Sequence, residues 1–485
     1  MNGPIRRLSI GILSSFFALL VAVTWIQVVH ADALKADPRN SRPALSDRGK
    51  ERGLIVTVDG VVVARSTEDP EDPRSFSRQY PEGEAFAHVV GYNSFLVGSS
   101  GLEGAFAQDL RSRRDLTISN LVTVLLGRDL RPESLEMTIH AGLQSAAYQA
   151  LGGQKGAVVA LDPATGAVLA SVSSPSFDPE SLLGPDTAAI WEALLADPNR
   201  PLSDRATREI YPPGSTFKTV VASAAVDAGE ADPSTVFPDP GVFDLPGSTA
   251  TISNAGGGVC NDGQSITLLR AFVVSCNTVF ADLSVRLGAE NIGITAQALG
   301  FNTELPFPWS VPLAAYPVDD LAEDDAALAQ SGIGERDVRA APLHMAMVAA
   351  AVANDGITPS PYLVNRIFDG DGNTVELFEP APIGRAMAPA TASIISQMME
   401  RVVTEGTGRA AAVPGVRVAG KTGTSMGPDG LPNPWFIGFA PVEDPQIAVA
   451  VLIEGGGDLG ESASGGGVAA PIAARLFELW MERSP

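Results

Sequence analysis

Lysine is scarce in this 485-residue chain. Of 33 basic residues only five are lysines, Lys35, Lys50, Lys155, Lys218 and Lys421. Arginine keeps its proton at any working pH, whereas lysine gives its proton up when desolvated or set beside another cation. A chain that takes arginine almost everywhere therefore keeps lysine where a removable proton or a compact ammonium matters. Basic charge as a whole is short, and the net charge of −23 argues against nucleic acid as a partner. Four histidines, His30, His88, His140 and His344, and two cysteines, Cys260 and Cys276, are scattered without ligand spacing, so no metal site is read. No glycine-rich phosphate loop supports nucleotide chemistry, no cofactor is implied, and no repeat of solenoid period is present.

One long hydrophobic run is present. Residues 8–29 carry no charge and follow Arg6-Arg7. The run is long enough to cross a bilayer as a helix. Arginines before it and an acidic remainder after it predict a cytoplasmic tail over 1–7, an anchor over 8–30, and everything from about residue 31 outside the membrane. A cleaved signal peptide is the alternative, since Ala31-Asp32-Ala33 offers small residues for cleavage, but its apolar core is usually about 7–15 residues.

Residues 32–50 read as a juxtamembrane linker. The stretch Gly53-Leu54-Ile55-Val56-Thr57-Val58-Asp59-Gly60-Val61-Val62-Val63-Ala64 reads as two strands turning at Asp59-Gly60, a strong hairpin signal. With an alternating run over 116–126, this predicts a small strand-rich domain over 31–134. From residue 135 a larger unit begins. A helix over 141–151 stops at Gly152-Gly153, and two apolar strands over 156–161 and 167–172 flank the turn Asp162-Pro163-Ala164-Thr165-Gly166. Three more strands are expected over 416–424, 435–440 and 447–454, with a last amphipathic helix over 468–481. Strands apolar on both faces imply a sheet covered by helices on both sides.

Two of the five lysines stand in short motifs. Tyr211-Pro212-Pro213-Gly214 stops what precedes Ser215-Thr216-Phe217-Lys218, and residues 215–228 read as a helix closed by Gly229. Ser215 thus sits at a helix N-terminus, where backbone N–H groups favour negative charge. Three residues on is the same face, so the Lys218 amine can reach the Ser215 hydroxyl. Serine is a poor nucleophile without an adjacent base, and no histidine is placed to serve. Lys218 can act if burial and the Lys421 cation lower its pKa. Ser275-Cys276-Asn277 lies between these residues and Lys421-Thr422-Gly423-Thr424, where a lysine on an apolar, glycine-containing strand is costly without a task.

Ser-x-x-Lys, Ser-x-Asn and Lys-Thr-Gly in this order form the signature of penicillin-binding proteins and related β-lactamases. The chain resembles the penicilloyl-serine transferases, specifically the class B penicillin-binding proteins, and is closest in type to penicillin-binding protein A of high-GC Gram-positive bacteria. Arg52-Gly53-Leu54-Ile55, Gly101-Leu102-Glu103, Asp204-Arg205-Ala206, Gly406-Thr407-Gly408, Trp435-Phe436-Ile437-Gly438 and Gly467-Val468-Ala469-Ala470-Pro471 extend the likeness. The resemblance implies an α+β fold: a non-catalytic pedestal over 31–134, then a transpeptidase domain over 135–485 with a five-stranded antiparallel sheet flanked by helices. It implies Ser215 as the acylated nucleophile, Lys218 as its base and Ser275 as a proton relay to the leaving amine. Asn277 would bind the substrate's peptide, and Lys421 with Thr422, Gly423 and Thr424 its terminal carboxylate. The N–H groups of Ser215 and Thr424 would form the oxyanion hole.

The activity implied is D,D-transpeptidation of peptidoglycan stem peptides with release of D-Ala, inhibited by β-lactams that acylate the same serine. The 31–134 region is too short for a glycosyltransferase, so a separate glycan polymerase is expected as partner, and the family resemblance implies that it is a multi-span membrane protein. A class D β-lactamase or sensor and a non-enzymatic scaffold are the competing readings. Both cysteines fall outside the membrane by the topology argument, where disulfides persist. A Cys260–Cys276 bond is therefore expected, against two separate thiols with Cys276 buried as a small apolar residue.

Overall fold

The computed structural model describes residues 2–26, 30, 49–70, 72, 75–111 and 131–483. The expected linker over 32–50 and the alternating run over 116–126 lie almost wholly outside them. The described chain forms two compact units, one of residues 1–50 with 68–77, the other of 51–67 with 78–485.

The first unit holds α1 (Asn2–Thr24). At 23 residues and about 1.5 Å per residue, it is long and apolar enough to cross a membrane. Arg6 and Arg7 lie within its first turns rather than ahead of it, since arginine is a good helix former whose stem can carry the charge outward. Two of its three serines, Ser9 and Ser15, are satisfied within the helix. Ser9 Oγ donates to Ile5 O at 2.9 Å and Ser15 Oγ to Gly11 O at 3.0 Å, as an apolar solvent would require.

In the second unit β1 (Ile55–Val56) and β2 (Val62–Glu68) pair antiparallel across the Asp59-Gly60 turn. Thr57 Oγ1 donates to Asp59 Oδ1 at 2.6 Å, and Gly60 takes φ +82°. β3 (Ser134–Met137) lies parallel to β1. Then come α2 (Ala141–Leu151), capped by left-handed Gly152, and the hairpin β4 (Gly156–Leu161) and β5 (Val168–Ser174). Asp162 Oδ1 closes that turn by accepting from Ala164 N at 2.8 Å. Further along lie α3 (Lys218–Asp227), β6 (Thr251–Ser253), α4 (Asn277–Leu287), α5 (Pro342–Ala353) and β7 (Val364–Phe368). The chain ends with β8 (Ala419–Met426), β9 (Pro432–Ala440), β10 (Ile447–Ile453) and α6 (Ala470–Arg483).

The expected five-stranded sheet has the order β8-β9-β10-β4-β5 with every neighbouring pair antiparallel. Side chains alternate across it. Ala157, Val159, Leu161, Ile437 and Ala450 join α5 in one core, while Val158, Ala160, Phe436, Val449 and Val451 join α2 and α6 in another. That alternation explains strands apolar on both faces. β3 also pairs antiparallel with β7, so residues near 55, 135 and 366 share one sheet. A buried charge network closes this region. Glu103, fully buried, accepts from Arg52 Nη2 at 2.7 Å and from Arg78 Nε at 2.5 Å.

Candidate active site

The site is assembled where a proline-rich turn meets the edge strand β8. Pro212 O accepts from Ser425 Oγ at 2.7 Å and from Trp435 Nε1 at 3.0 Å, fastening the turn to β8 and β9. Two glycines allow this approach. A Cβ at Gly214, which has φ +53°, would lie 2.7 Å from Thr424 O, and one at Gly423 would lie 2.9 Å from Pro213 O. Larger residues would push strand and nucleophile apart.

The continuous helix expected over 215–228 is instead a 3₁₀ turn (Gly214–Phe217) running into α3. The two prolines before Gly214 supply no N–H, and Thr216 Oγ1 donates back to Pro213 O at 2.6 Å, so the first turn tightens. The change brings Ser215 and Lys218 closer to eclipsed, because side chains three apart in a 3₁₀ turn superpose. Ser215 is half-buried and Lys218 fully buried.

The two lysines converge on Ser275. Lys218 Nζ donates to Ser275 O and to Asn277 Oδ1, both at 2.7 Å, and lies 3.3 Å from Ser275 Oγ. Lys421 Nζ donates to Ser275 Oγ and to Thr422 O, both at 2.9 Å. Ser275 has φ +61°, a left-handed backbone unusual for serine, and this turns both its carbonyl and its hydroxyl toward the lysines. The structure thus brings together Lys218, Ser275, Asn277 and Lys421. Lys218 bonds to Ser275 and Asn277 rather than to Ser215, whose hydroxyl has no hydrogen-bond partner among the described residues.

Both amines are held below their ordinary pKa. Burial pushes Lys421 down to about 7. Lys218 lies well below the usual lysine value, first through burial and then through the nearby Lys421 cation. A neutral Lys218 has two N–H groups, matched by Ser275 O and Asn277 Oδ1, and one lone pair left to accept a hydroxyl proton. Proton traffic is feasible here without histidine.

The remaining expected residues line β8. Thr422 Oγ1 and Thr407 Oγ1 are 2.6 Å apart, and Gly465 N donates to Thr424 Oγ1 at 3.3 Å. Thr424 is exposed. β8 is the outermost strand of its sheet, a position open to an extended peptide added alongside. Cys260 and Cys276 are joined in a disulfide with a Cα–Cα distance of 5.8 Å. Asp239 lies beside the sulfurs, but its oxygens accept from the N–H groups of Cys260, Asn261 and Gly263 at 2.7–3.0 Å, so this group clasps a loop.

Sequence reasoning missed several residues around the site. Ser253 O accepts from Asn277 Nδ2 at 2.9 Å, and Asn254 Oδ1 accepts from Asn277 N at 2.9 Å and from Thr278 N at 3.1 Å. Both lie in a polar stretch with no periodicity to mark them. Glu335 follows Gly334, whose carbonyl accepts from Gly214 N at 3.0 Å. Burial raises its carboxyl to about 7 against the opposing pull of Arg339.

Residues 156–478 match the family described as penicillin binding protein transpeptidase domain, and residues 52–135 the penicillin binding protein A dimerisation domain. The peptidoglycan D,D-transpeptidase PbpA of Mycolicibacterium smegmatis is 41% identical over 97% of each chain. Its namesake in Mycobacterium tuberculosis is 39% identical over 100% of each. The ceftriaxone acyl-enzyme complex of M. tuberculosis penicillin-binding protein A superposes with a TM-score of 0.83 at 38% identity, covering 90% of this chain and 99% of that one. The penicillin G acyl-enzyme complex gives 0.81 at 37% identity, covering 89% and 100%. With the two-lysine site, the helix-covered antiparallel sheet and these matches together, the chain belongs to the penicillin-binding protein transpeptidase family.

Proposed function

We propose that the chain is a membrane-anchored peptidoglycan D,D-transpeptidase working through a serine acyl-enzyme. The observation that carries the reading is the Ser275 hydroxyl held between two fully buried lysine amines, 2.9 Å from Lys421 and 3.3 Å from Lys218. Lys218, neutral, accepts the Ser215 proton as Ser215 Oγ attacks the carbonyl carbon between the last two D-alanines of a stem peptide. N–H groups of Ser215 and Thr424 stabilise the oxyanion. As the C–N bond breaks, the proton passes through Ser275 to the leaving D-Ala amine. An amine of a neighbouring stem then attacks the ester carbonyl, forms the new amide and returns the proton to Ser215.

Asn277 retains one Nδ2 hydrogen beyond its bond to Ser253 for a substrate carbonyl. Lys421, with Thr422, Gly423 and Thr424, meets the terminal carboxylate. A β-lactam enters the same sequence, but its ring nitrogen stays tethered, so the acyl-enzyme persists. Residues 31–134 serve as a pedestal and 135–485 as the transpeptidase domain. α1 anchors the chain, facing the catalytic unit outward, and a multi-span glycan polymerase supplies the strands to be cross-linked.

One experiment tests activity and anchoring together. Membranes carrying the full chain are washed in alkaline carbonate and incubated with a D-Ala-D-Ala-terminated stem peptide and an amine acceptor. The expected result is release of D-Ala and a cross-linked product, both made by the sedimented membranes and blocked by penicillin. Activity left in the carbonate supernatant would overturn the anchor; hydrolysis of penicillin without cross-linking would overturn the transpeptidase.

A further inference from the structure

The amide of Asn277 is held from one strand end. We infer that Asn254 is a positioning residue for the acylation machinery, fixing Asn277 and through it Lys218. This rests on the reading of Ser215 as the acylated residue.

Helix α4 begins at Asn277, directly after Cys276, whose own side chain caps nothing. The first N–H groups of a helix lack partners within it and need an acceptor from elsewhere. Asn254, immediately after β6, supplies one. Its Oδ1 accepts from Asn277 N at 2.9 Å and from Thr278 N at 3.1 Å. Its Nδ2 donates to Gly258 O at 3.0 Å and to Pro240 O at 3.3 Å. The amide cannot be turned over, because the reverse orientation would set an NH₂ against two N–H groups and an oxygen against two carbonyls. The preceding residue continues the grip, as Ser253 O accepts from Asn277 Nδ2.

With backbone and side chain both held, Asn277 has Oδ1 directed at Lys218 Nζ, 2.7 Å away. Asn254 is itself buried and touches neither Lys218 nor Ser215 by any hydrogen bond. Its effect runs through the backbone of Asn277. An acceptor on Lys218 stabilises the ammonium over the neutral amine, so loosening Asn277 lowers the Lys218 pKa further and changes the geometry of its lone pair.

The test compares Asn254→Ala and Asn254→Asp with the parent chain, measuring the rate of acylation by a fluorescent penicillin from pH 5 to 9 and the melting temperature. Asp keeps the acceptor for the two helix N–H groups and loses the donors to Pro240 and Gly258; Ala loses both. The expected result is a lower melting temperature for both variants. Acylation should fall about 10- to 100-fold in Asn254→Ala, as for a catalytic group displaced by an ångström or less, with its acid limb moved to lower pH. Asn254→Asp should stay much nearer the parent rate, with no downward move of the limb. Acylation that merely tracks melting temperature in both variants, or an unmoved limb in Asn254→Ala, would overturn the inference. Should Asn254→Ala fail to fold, a loss of acylation in folded Asn254→Asp equal to tenfold or more would overturn it too. Failure of the parent chain to acylate would instead remove the reading of Ser215.

Discussion

Lys218 and Lys421 are chemically alike and placed for different work. Lys218 is bonded to acceptors that fit a neutral amine with a free lone pair, whereas Lys421 points at the Ser275 hydroxyl from the edge strand β8. Lys218→Arg should abolish penicillin acylation, since a guanidinium cannot accept the Ser215 proton. Lys421→Arg should keep part of it, because the charge survives. Initial rates of adduct formation on folded variants decide, and equal loss in both would contradict separate roles. Both lysines were legible from composition, as two of five in a chain otherwise supplied with arginine. Asn254 was not. An asparagine in a glycine-rich loop looks like ordinary turn chemistry until the fold carries it to the start of α4.

The elements show the same division. Hairpins with Asp-Gly or Asp-Pro…Gly turns were readable because those turns are set within a few residues. The pairing of β3 with both β1 and β7 was not, since its partners lie some 80 and 230 residues away and no local pattern selects among apolar strands. The 3₁₀ entry to α3 likewise depends on contacts with β8. Helix α5 is buried along nearly its whole length, and it carries one residue that packing alone does not explain. His344 is fully buried, neither ring nitrogen has a hydrogen-bond partner among the described residues, and burial depresses its pKa to about 4. Between the ordinary histidine value near 6.5 and about 4, the unfolded chain takes up a proton that the folded chain refuses. Falling pH therefore destabilises the fold across that window, by up to about 3 kcal/mol. His344→Met should remove this part of the acid sensitivity and raise stability at pH 5 relative to pH 7. Parallel urea melts of parent and variant at both pH values check it; an unchanged difference between the two would contradict the account.

At the scale of the molecule, a helix-covered sheet holds three motifs from distant parts of the chain within hydrogen-bond reach, the last of them on its edge strand. The family is fixed by sequence likeness over nearly the whole length, while the roles of individual residues rest on geometry. The buried Glu103 network and the sheet shared by β1, β3 and β7 tie residues near 52, 78 and 103 to those near 135 and 366. The central claim is that Ser215 is the residue acylated. Intact-mass and peptide-level mass spectrometry of the full chain in detergent, after brief exposure to benzylpenicillin, tests it most directly. The account predicts one penicilloyl group per chain, located on Ser215, persisting after free drug is removed and absent from Ser215→Ala. An adduct on any other residue, or equal labelling of Ser215→Ala, would contradict it.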